Sequence, residues 1–292
     1  MRNALSIDVE EYFHPSEVQS HIGRDRWSRL PSRVEEETLL VLDLLAERQT
    51  KATFFILGWV AERKRALMRS IVAAGHEIGC HSYAHQLVYR LSPEEFRRDT
   101  ERAVRVIEDT CGVTPRLYRA PSYSVTRESL WALEILVECG FTCDSSIYPI
   151  YHDRYGIPGF PRHAHVIETA SGPIREIPIG SIEDSRGRAI PIGGGGYMRL
   201  LPYCYTAAGI RRVNRAEGQP VCIYFHPWEL DAEQPKLADG LIARARTYIG
   251  LRGMKRKLQR LITDFEFSTL TAVYCDAADA EGSMADAIES RR

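Results

Sequence analysis

Short apolar runs alternate with amphipathic segments through the first half of the chain. The apolar runs have the length and composition of buried strands, and the segments between them repeat apolar residues at helical spacing. The predicted strands are 5–9, 52–57, 77–80, 116–119 and a run from 141, and the predicted helices are one opening near 32, 61–74, 92–111 and 127–139. This alternation predicts a mainly parallel sheet covered by helices.

Two of the predicted helices carry start signals. Ser32 and Glu35 have the spacing of a capping box, and Leu39 would lie on the apolar face of that helix. The segment Ser92-Pro-Glu-Glu95 combines a capping serine, a proline suited to the first helical turn and two acidic residues, and Gly112 would end this helix.

The strand–helix alternation breaks after residue 144. Residues 145–200 are rich in Pro, Gly, His and Tyr, which predicts long loops and short strands, including one at 174–179. Further on, the pattern predicts a helix at 202–217, a strand at 221–225, helix within 236–264, a last strand at 267–274 and a disordered tail at 276–292. We therefore expect one domain over residues 1–275, with 150–275 as a C-terminal extension.

Composition narrows the class of protein. A length of 292 residues with 44% hydrophobic residues is enough for a large α/β core, and a formal charge of −1 argues against a general nucleic-acid binder. No apolar run approaches the roughly 20 residues of a membrane span, and residues 1–8 do not resemble a signal peptide. Seven cysteines, an odd number, favour free thiols. A cytoplasmic location is therefore expected.

Two histidines and an acidic residue suggest a metal site. His81 and His85 are four residues apart, so on a helical turn both imidazoles would face one metal ion. Glu10, at the end of the first strand, would supply an oxygen ligand. Such a set leaves coordination positions open, as catalytic metal sites do. A His-x-x-x-His pair alone is a weak signal, so the prediction depends on further residues.

Those further residues follow other predicted strands. Asp8, His81, Arg119, Asp144 and His226 each lie at or just beyond the carboxyl end of a strand. In a parallel α/β barrel these ends form one rim, where active sites are built. The five side chains are therefore expected to converge.

The segments around these residues resemble the polysaccharide deacetylase family, carbohydrate esterase family 4, also called the NodB homology domain. The chain is especially similar to the deacetylases of exosortase/PEP-CTERM exopolysaccharide loci. The matching segments are Ser6-Ile-Asp-Val-Glu-Glu-Tyr12, His81-Ser-Tyr-Ala-His85, Arg119-Ala-Pro-Ser-Tyr123, Cys143-Asp-Ser-Ser-Ile-Tyr-Pro149 and Tyr224-Phe-His-Pro-Trp-Glu-Leu230. The resemblance implies a distorted (β/α) barrel with about seven parallel strands.

The resemblance also implies roles for single residues. Asp8 would be the general base, Arg119 would pair with Asp8, and Asp144 would hold Arg119. A backbone N–H, by position that of Ser122, would help to stabilise the oxyanion, and His226 would protonate the leaving amine. His81 and His85 would bind one divalent metal ion, with zinc favoured and cobalt or nickel as alternatives.

The first motif departs from the family pattern, in which two aspartates are adjacent. Val9 follows Asp8 here, so Glu10 becomes the expected carboxylate ligand. Glu11 is a weaker candidate, because strand alternation points it to the opposite face. Pro227 also stands where an acidic residue is common.

Aromatic residues near these motifs are candidates for binding sugar rings. Tyr123, Tyr197 and Trp228 are the predicted substrate-binding residues. A close-packed loop is predicted at 193–196 instead of a phosphate loop, because no Lys-Ser or Lys-Thr follows it. The remaining histidines that lack a convincing partner set are predicted to be surface or loop residues, namely His14, His152, His163 and His165.

The sequence thus predicts a metal-dependent hydrolase that removes an N-acetyl group from a saccharide in a polysaccharide or its precursor. One alternative is a deformylase or deacetylase of a lipid- or nucleotide-linked sugar, and another is a catalytically impaired carbohydrate-binding homologue. An N-acetylated saccharide is the expected partner. The sequence does not determine the sugar or the oligomeric state.

Overall fold

The computed structural model describes residues 1–19 and 21–275, in which helices cover a largely parallel sheet; the tail predicted at 276–292 lies outside them. The strands are β1 (Asn3–Val9), β2 (Thr53–Ile56), β3 (Glu77–Cys80), β4 (Leu117–Tyr118), β5 (Cys143–Asp144), β6 (His165–Thr169), β7 (Gly172–Glu176), β8 (Ser181–Glu183), β9 (Ala189–Pro191), β10 (Cys222–Phe225) and β11 (Phe267–Ser268). The helices are α1 (Ser16–Gln19), α2 (Val34–Ala46), α3 (Gly58–Arg63), α4 (Arg65–Ala73), α5 (Pro93–Cys111), α6 (Trp131–Glu138), α7 (Gly195–Leu200), α8 (Tyr203–Arg212), α9 (Leu241–Tyr248), α10 (Leu251–Asp264) and α11 (Leu270–Tyr274).

The main sheet has the strand order β10-β1-β2-β3-β4-β5-β7-β6, with β11 beside the start of β1. Every neighbouring pair from β10 to β7 is parallel, and only β6 runs antiparallel, as the edge of a hairpin with β7. The predicted α/β fold with about seven parallel strands is confirmed.

The sheet curves toward a barrel that strand pairing does not close. Within the described residues, β7 and β10 form no ladder with each other. One backbone hydrogen bond spans the gap, from the Gly180 N–H to the Cys222 carbonyl at 2.9 Å. The barrel is therefore distorted, and it is open between these two strands.

Strand β1 lies inside the sheet and is buried along its whole length. Leu5, Ile7 and Val9 pack into the core between sheet and helices, whereas Ala4 belongs to a second cluster with Phe55. Because successive side chains of a strand point to opposite faces, Asp8 points to the same face as Ala4, which is the barrel interior.

The N-terminus of α2 differs from the predicted capping box. Neither Ser32 nor Glu35 caps this helix; instead, the carboxylate of Glu11 accepts hydrogen bonds from the backbone N–H groups of Arg33 and Val34, at 2.9 and 3.2 Å. A carboxylate from the end of β1 thus satisfies two N–H groups that a helix start leaves free. Leu39, predicted on the apolar face, is exposed.

The signals at the ends of α5 are confirmed. Ser92 and Glu95 form a capping box, Pro93 is the first helical residue, and Gly112 ends the helix in the left-handed region with φ of 71°.

Several other boundaries differ from the prediction. The helix predicted at 61–74 breaks at Lys64, and the helical region at 236–264 breaks at Gly250, whose φ is 86°. The strand predicted at 267–274 ends at Ser268, because Thr269 caps α11 by accepting a hydrogen bond from the Ala272 N–H. No helix in the described part of the chain is long and apolar enough to cross a membrane.

Candidate metal and proton-transfer site

Three buried side chains form a candidate metal site at the rim of the sheet. Glu10 follows β1, while His81 and His85 follow β3. Their ligand atoms lie within 4.8 Å of one another. The structure therefore brings together the three residues predicted to bind metal.

The two histidines reach this point from a loop, which corrects the predicted helical turn. Ser82 and His85 have φ of 63° and 49°, both in the left-handed region, and the His85 N–H donates to the Ser82 hydroxyl at 3.1 Å. Nδ1 of His81 lies 2.8 Å from the Arg119 carbonyl oxygen. Because a carbonyl only accepts, that nitrogen carries the proton and leaves Nε2 free to bind a metal ion.

The donor set fits a catalytic divalent metal. Glu10 Oε2 is buried without a hydrogen bond of good geometry, although His85 Nε2 lies only 2.8 Å away. Two potential ligand atoms that lie this close without a hydrogen bond between them are suited to bind the same metal ion. Two imidazoles and one carboxylate are a common zinc donor set with an open position.

The charges around Glu10 keep it ionised, and burial keeps His81 neutral. Burial acts to raise the pKa of Glu10, but the charges of His85 and His226 outweigh it and hold that pKa below its usual range. Burial lowers the pKa of His81 to about 4. An ionised carboxylate beside a neutral imidazole is the protonation state in which both can bind a metal ion.

Asp8 and Arg119 form a buried ion pair next to this site. Nη1 of Arg119 donates to Asp8 Oδ1 and to the Ser6 hydroxyl, each at 2.8 Å. Nη2 donates to the Ser145 hydroxyl at 2.9 Å, and the Sγ of Cys222 lies 3.7 Å from the same atom. Arg119 is fully buried, so these contacts fix the position of the Asp8 carboxylate.

Asp144 does not hold Arg119, which corrects the prediction. Strand register pairs Tyr118 with Asp144, so Asp144 points to the face opposite the one that Arg119 and Ser145 use. Its Oδ1 accepts a hydrogen bond from the Ser146 hydroxyl at 2.5 Å. Asp144 pairs with Glu176 across the sheet, burial raises the pKa of both carboxyl groups, and neither residue lines the cleft.

His226 is held by two residues that the sequence analysis missed. Glu229 Oε2 lies 3.1 Å from Nδ1 of His226 and accepts the His226 backbone N–H at 2.9 Å. Arg199 Nε donates to the other oxygen of Glu229 at 2.5 Å. Burial acts to lower the pKa of His226, but the charges of Glu10, Glu229 and Asp8 outweigh it and raise the pKa to about 9. His226 therefore stays protonated above neutral pH, as the predicted role of proton donor requires.

These groups meet in a cleft with a volume of 370 Å³. Every predicted site residue lines it except Arg119, which lies beneath Asp8, and Asp144. Nε2 of His226 is 3.3 Å from Glu10 and 3.9 Å from Asp8. Ser122 lines the wall with φ of 53°, and its hydroxyl lies 2.9 Å from that of Ser16.

The aromatic residues divide into buried and accessible groups. Trp228 is 3% exposed, stacks on His226 and donates from Nε1 to Glu10 at 3.3 Å, so it positions these residues and is not an open sugar platform. Tyr123 is 4% exposed and packs against other tyrosines. Tyr197 is only partly buried, as is Tyr155, whose ring stacks on His152 at 3.8 Å. The accessible rings are the better candidates for sugar contact.

His14 and the glycine loop complete the surroundings. His14 lies in the loop between β1 and α1, as one of its two predicted placements allowed, but it is fully buried between Trp27 and Trp59 and is not a surface residue. Gly194 and Gly195 have positive φ, and a Cβ at either position would lie within 2.6 Å of the Tyr224 side chain. The predicted close packing is confirmed, but the loop is shorter than the predicted 193–196, because Gly195 and Gly196 are already the first residues of α7.

Comparisons with known proteins agree with this architecture. Residues 30–143 match the polysaccharide deacetylase family model, and residues 145–275 match a domain of unknown function, DUF3473. A crystal structure of a Mycobacterium smegmatis protein with a provisional polysaccharide deacetylase assignment covers 97% of this chain and 90% of its own, with a TM-score of 0.62 and 19% identity. This likeness shows a shared fold.

Curated relatives match over shorter stretches. A peptidoglycan-N-acetylglucosamine deacetylase of Bacillus cereus is 32% identical over 34% of this chain and 36% of its own length. A chitooligosaccharide deacetylase of a Bradyrhizobium species is 33% identical over 33% of this chain and 42% of its own length. The chain thus spans less than half the length of these relatives. Together with the family model, they support the polysaccharide deacetylase family that the motifs predicted.

Proposed function

We propose that this protein is a metal-dependent deacetylase that hydrolyses the N-acetyl group of a saccharide. The observation that carries the proposal is the meeting of Glu10, His81 and His85 with the Asp8–Arg119 pair and His226 in one cleft. An unactivated amide needs an electrophile, a base for the attacking water and an acid for the leaving amine. This set offers candidates for all three.

Glu10, His81 and His85 would hold one divalent ion, for which zinc is favoured and cobalt or nickel are alternatives. When bound, the ion would polarise the amide carbonyl as a Lewis acid. Two further residues would orient the ligands. Gln19 lies 2.8 Å from His85 Nδ1, and Trp228 donates a hydrogen bond to Glu10.

The chain's own groups would move the protons. Asp8 is the proposed base for the attacking water, and Arg119 keeps its carboxylate in place. His226 is the proposed acid for the leaving amine, with Glu229 holding its Nδ1 proton. The Ser122 N–H is the proposed oxyanion donor, supported by its place in the cleft wall.

Three broader assignments belong to the same proposal. The resemblance to the exosortase/PEP-CTERM exopolysaccharide subgroup is supported by the extension that follows residue 145. A single domain over residues 1–275 is supported by the pairing of β1 with β10, which joins the N-terminal strand and the C-terminal extension in one sheet. A cytoplasmic location rests on the sequence alone.

The test combines metal analysis with acetate release from N-acetylglucosamine oligosaccharides. The purified protein should bind one equivalent of metal and release acetate, and chelation should abolish the release. His81→Ala and His85→Ala should lose metal and activity together with unchanged circular dichroism, whereas His165→Ala, outside the cleft, should behave like the wild type. An empty site with intact sugar binding would instead support a carbohydrate-binding homologue.

A further inference from the structure

A second cavity of 1060 Å³ adjoins the candidate metal cleft. The two cavities share five wall residues: Ser16, Glu17, His85, Arg154 and Arg246. Since His85 is one of the three candidate metal ligands, the second cavity opens directly beside the metal site. A substrate that places its acetamide at the metal has room to extend into this space.

Arginines dominate the charge of the second cavity. Arg24, Arg90, Arg154 and Arg246 line it, against the acidic residues Glu17 and Asp239. Arg24 and Arg90 are exposed, and neither forms an ion pair with any residue that the structure describes. The wall therefore carries an excess of positive charge beside a cleft whose floor is acidic.

The two arginines at the shared boundary retain free donor capacity. Arg154 bonds Glu17 through Nη2 at 2.5 Å, which engages one of its five N–H donors. Arg246 pairs with Asp153 at 3.2 Å, and these side chains are 39% and 58% exposed. An ion pair so open to solvent is weak, so a ligand oxyanion can replace Asp153. Guanidinium groups match the geometry of carboxylates and phosphates.

Apolar residues complete the wall. Leu241 and Ile242, at the start of α9, line the cavity and are 88% and 72% exposed. Two large apolar side chains this exposed, next to unpaired arginines, differ from an ordinary solvated surface. The combination suits a group that is anionic and has some apolar surface.

We propose that the substrate of this protein carries an oxyanion, a phosphate or a carboxylate, attached beyond the N-acetylated sugar and bound by the arginines of the second cavity. This inference rests on the proposed deacetylase function. The arginines hold the substrate and move no proton. They therefore act mainly on substrate affinity, and charge screening by salt weakens their effect.

The first experiment compares three acetamide substrates with the metal-loaded protein. Chitotetraose is neutral, a tetrasaccharide of alternating N-acetylglucosamine and glucuronate carries carboxylates, and uridine diphosphate N-acetylglucosamine carries a diphosphate. One or both anionic substrates should have a kcat/KM about tenfold above that of chitotetraose, and this advantage should shrink at high salt. The preferred substrate identifies the anion as carboxylate or phosphate.

The second experiment uses the double variant Arg24→Ala/Arg90→Ala, in which no ion pair of the described structure is broken. It should reduce kcat/KM for the anionic substrate about tenfold, mainly through KM, and leave chitotetraose within twofold. Arg256→Ala, an exposed arginine on α10 outside both cavities, is the matched control and should change neither substrate.

Calorimetric measurement of the binding of the two anionic sugars distinguishes failure of the oxyanion inference from failure of the deacetylase proposal. If chitotetraose is deacetylated as well as the anionic sugars, and the double variant binds them normally, the oxyanion inference is wrong and the deacetylase proposal stands. If no substrate releases acetate but the double variant weakens binding of an anionic sugar, the deacetylase proposal fails and the anion site stands. Normal binding without acetate release overturns both.

Discussion

Glu229→Gln provides a quantitative test of His226 as the proposed proton donor. The glutamine keeps an oxygen that can accept from His226 but removes the negative charge that helps to raise the pKa of His226 to about 9. If that pKa returns toward the ordinary value of 6.5, the protonated fraction at pH 8 falls by up to about 30-fold. At pH 6 the same change alters it less than about twofold.

The assay is kcat/KM for acetate release between pH 5.5 and 9.5. A residue that donates a proton gives a rate that falls as pH rises through its pKa, so this falling limb should move to lower pH in Glu229→Gln. Metal content should stay at the wild-type value. A loss of equal size at every pH, or an unmoved limb, would refute the inference that Glu229 helps to raise the pKa of His226.

The stability of the Glu229→Gln protein needs a separate control, because Arg199 loses its counter-charge in this variant. Both side chains are buried, and leaving one partner of a buried ion pair can destabilise a protein by about 3–5 kcal/mol. The double variant Arg199→Gln/Glu229→Gln removes both charges and should recover part of this loss. Its pH profile should nevertheless remain shifted, since His226 still lacks the carboxylate.

Three further predictions follow from the structure. Asp8→Asn should keep the metal and substrate affinity while turnover falls at least ~100-fold, as for other lost general bases; loss of metal, measured by elemental analysis, would make Asp8 a ligand. His226→Ala should slow acetamide hydrolysis more than hydrolysis of an activated acetate ester, because a good leaving group needs no proton; equal slowing of both would assign His226 to positioning. Burial, together with the charge of Glu11, raises the pKa of Glu37 to about 9. The folded protein therefore binds a proton that the unfolded chain releases above its ordinary pKa of 4.5, and this group lowers stability by about 1.4 kcal/mol per pH unit between the two values. Glu37→Gln should remove that decline in urea unfolding from pH 5 to 8, with the exposed Glu36→Gln as control; a decline identical to that of the wild type would contradict the shifted pKa.

The parts of the site that follow from strand geometry were predictable. Parallel strands end at one edge of the sheet, so placing Asp8, His81, Arg119 and His226 at strand ends was enough to expect them together. Alternation along β1 separated Glu10, which enters the cleft, from Glu11, which caps α2. Both inferences depend only on the period of a strand and on the direction of the chain.

The missed parts depend on features that a sequence pattern does not encode. Asp144 and Ser145 are neighbours, and only the register of β4 with β5 decides which of them faces Arg119. The contact between Arg199 and Glu229 joins α7 to the turn after β10, and no local spacing indicates it. His81 and His85 met as predicted but on a loop, because β3 ends at Cys80 and His81 is the first residue after it.

Arg119 limits the order in which the chain can assemble. The partners of its guanidinium come from β1, from Ser145 after β5 and from Cys222 at the start of β10. In a partly folded state without β10, the Arg119 guanidinium would lose the contact with Cys222. It would then be either open to water on one side or buried without all of its partners. Such states are penalised, so the barrel is expected to form and unfold as one cooperative unit. A fragment that stops near residue 143, where the deacetylase family match ends, should therefore fail to fold alone.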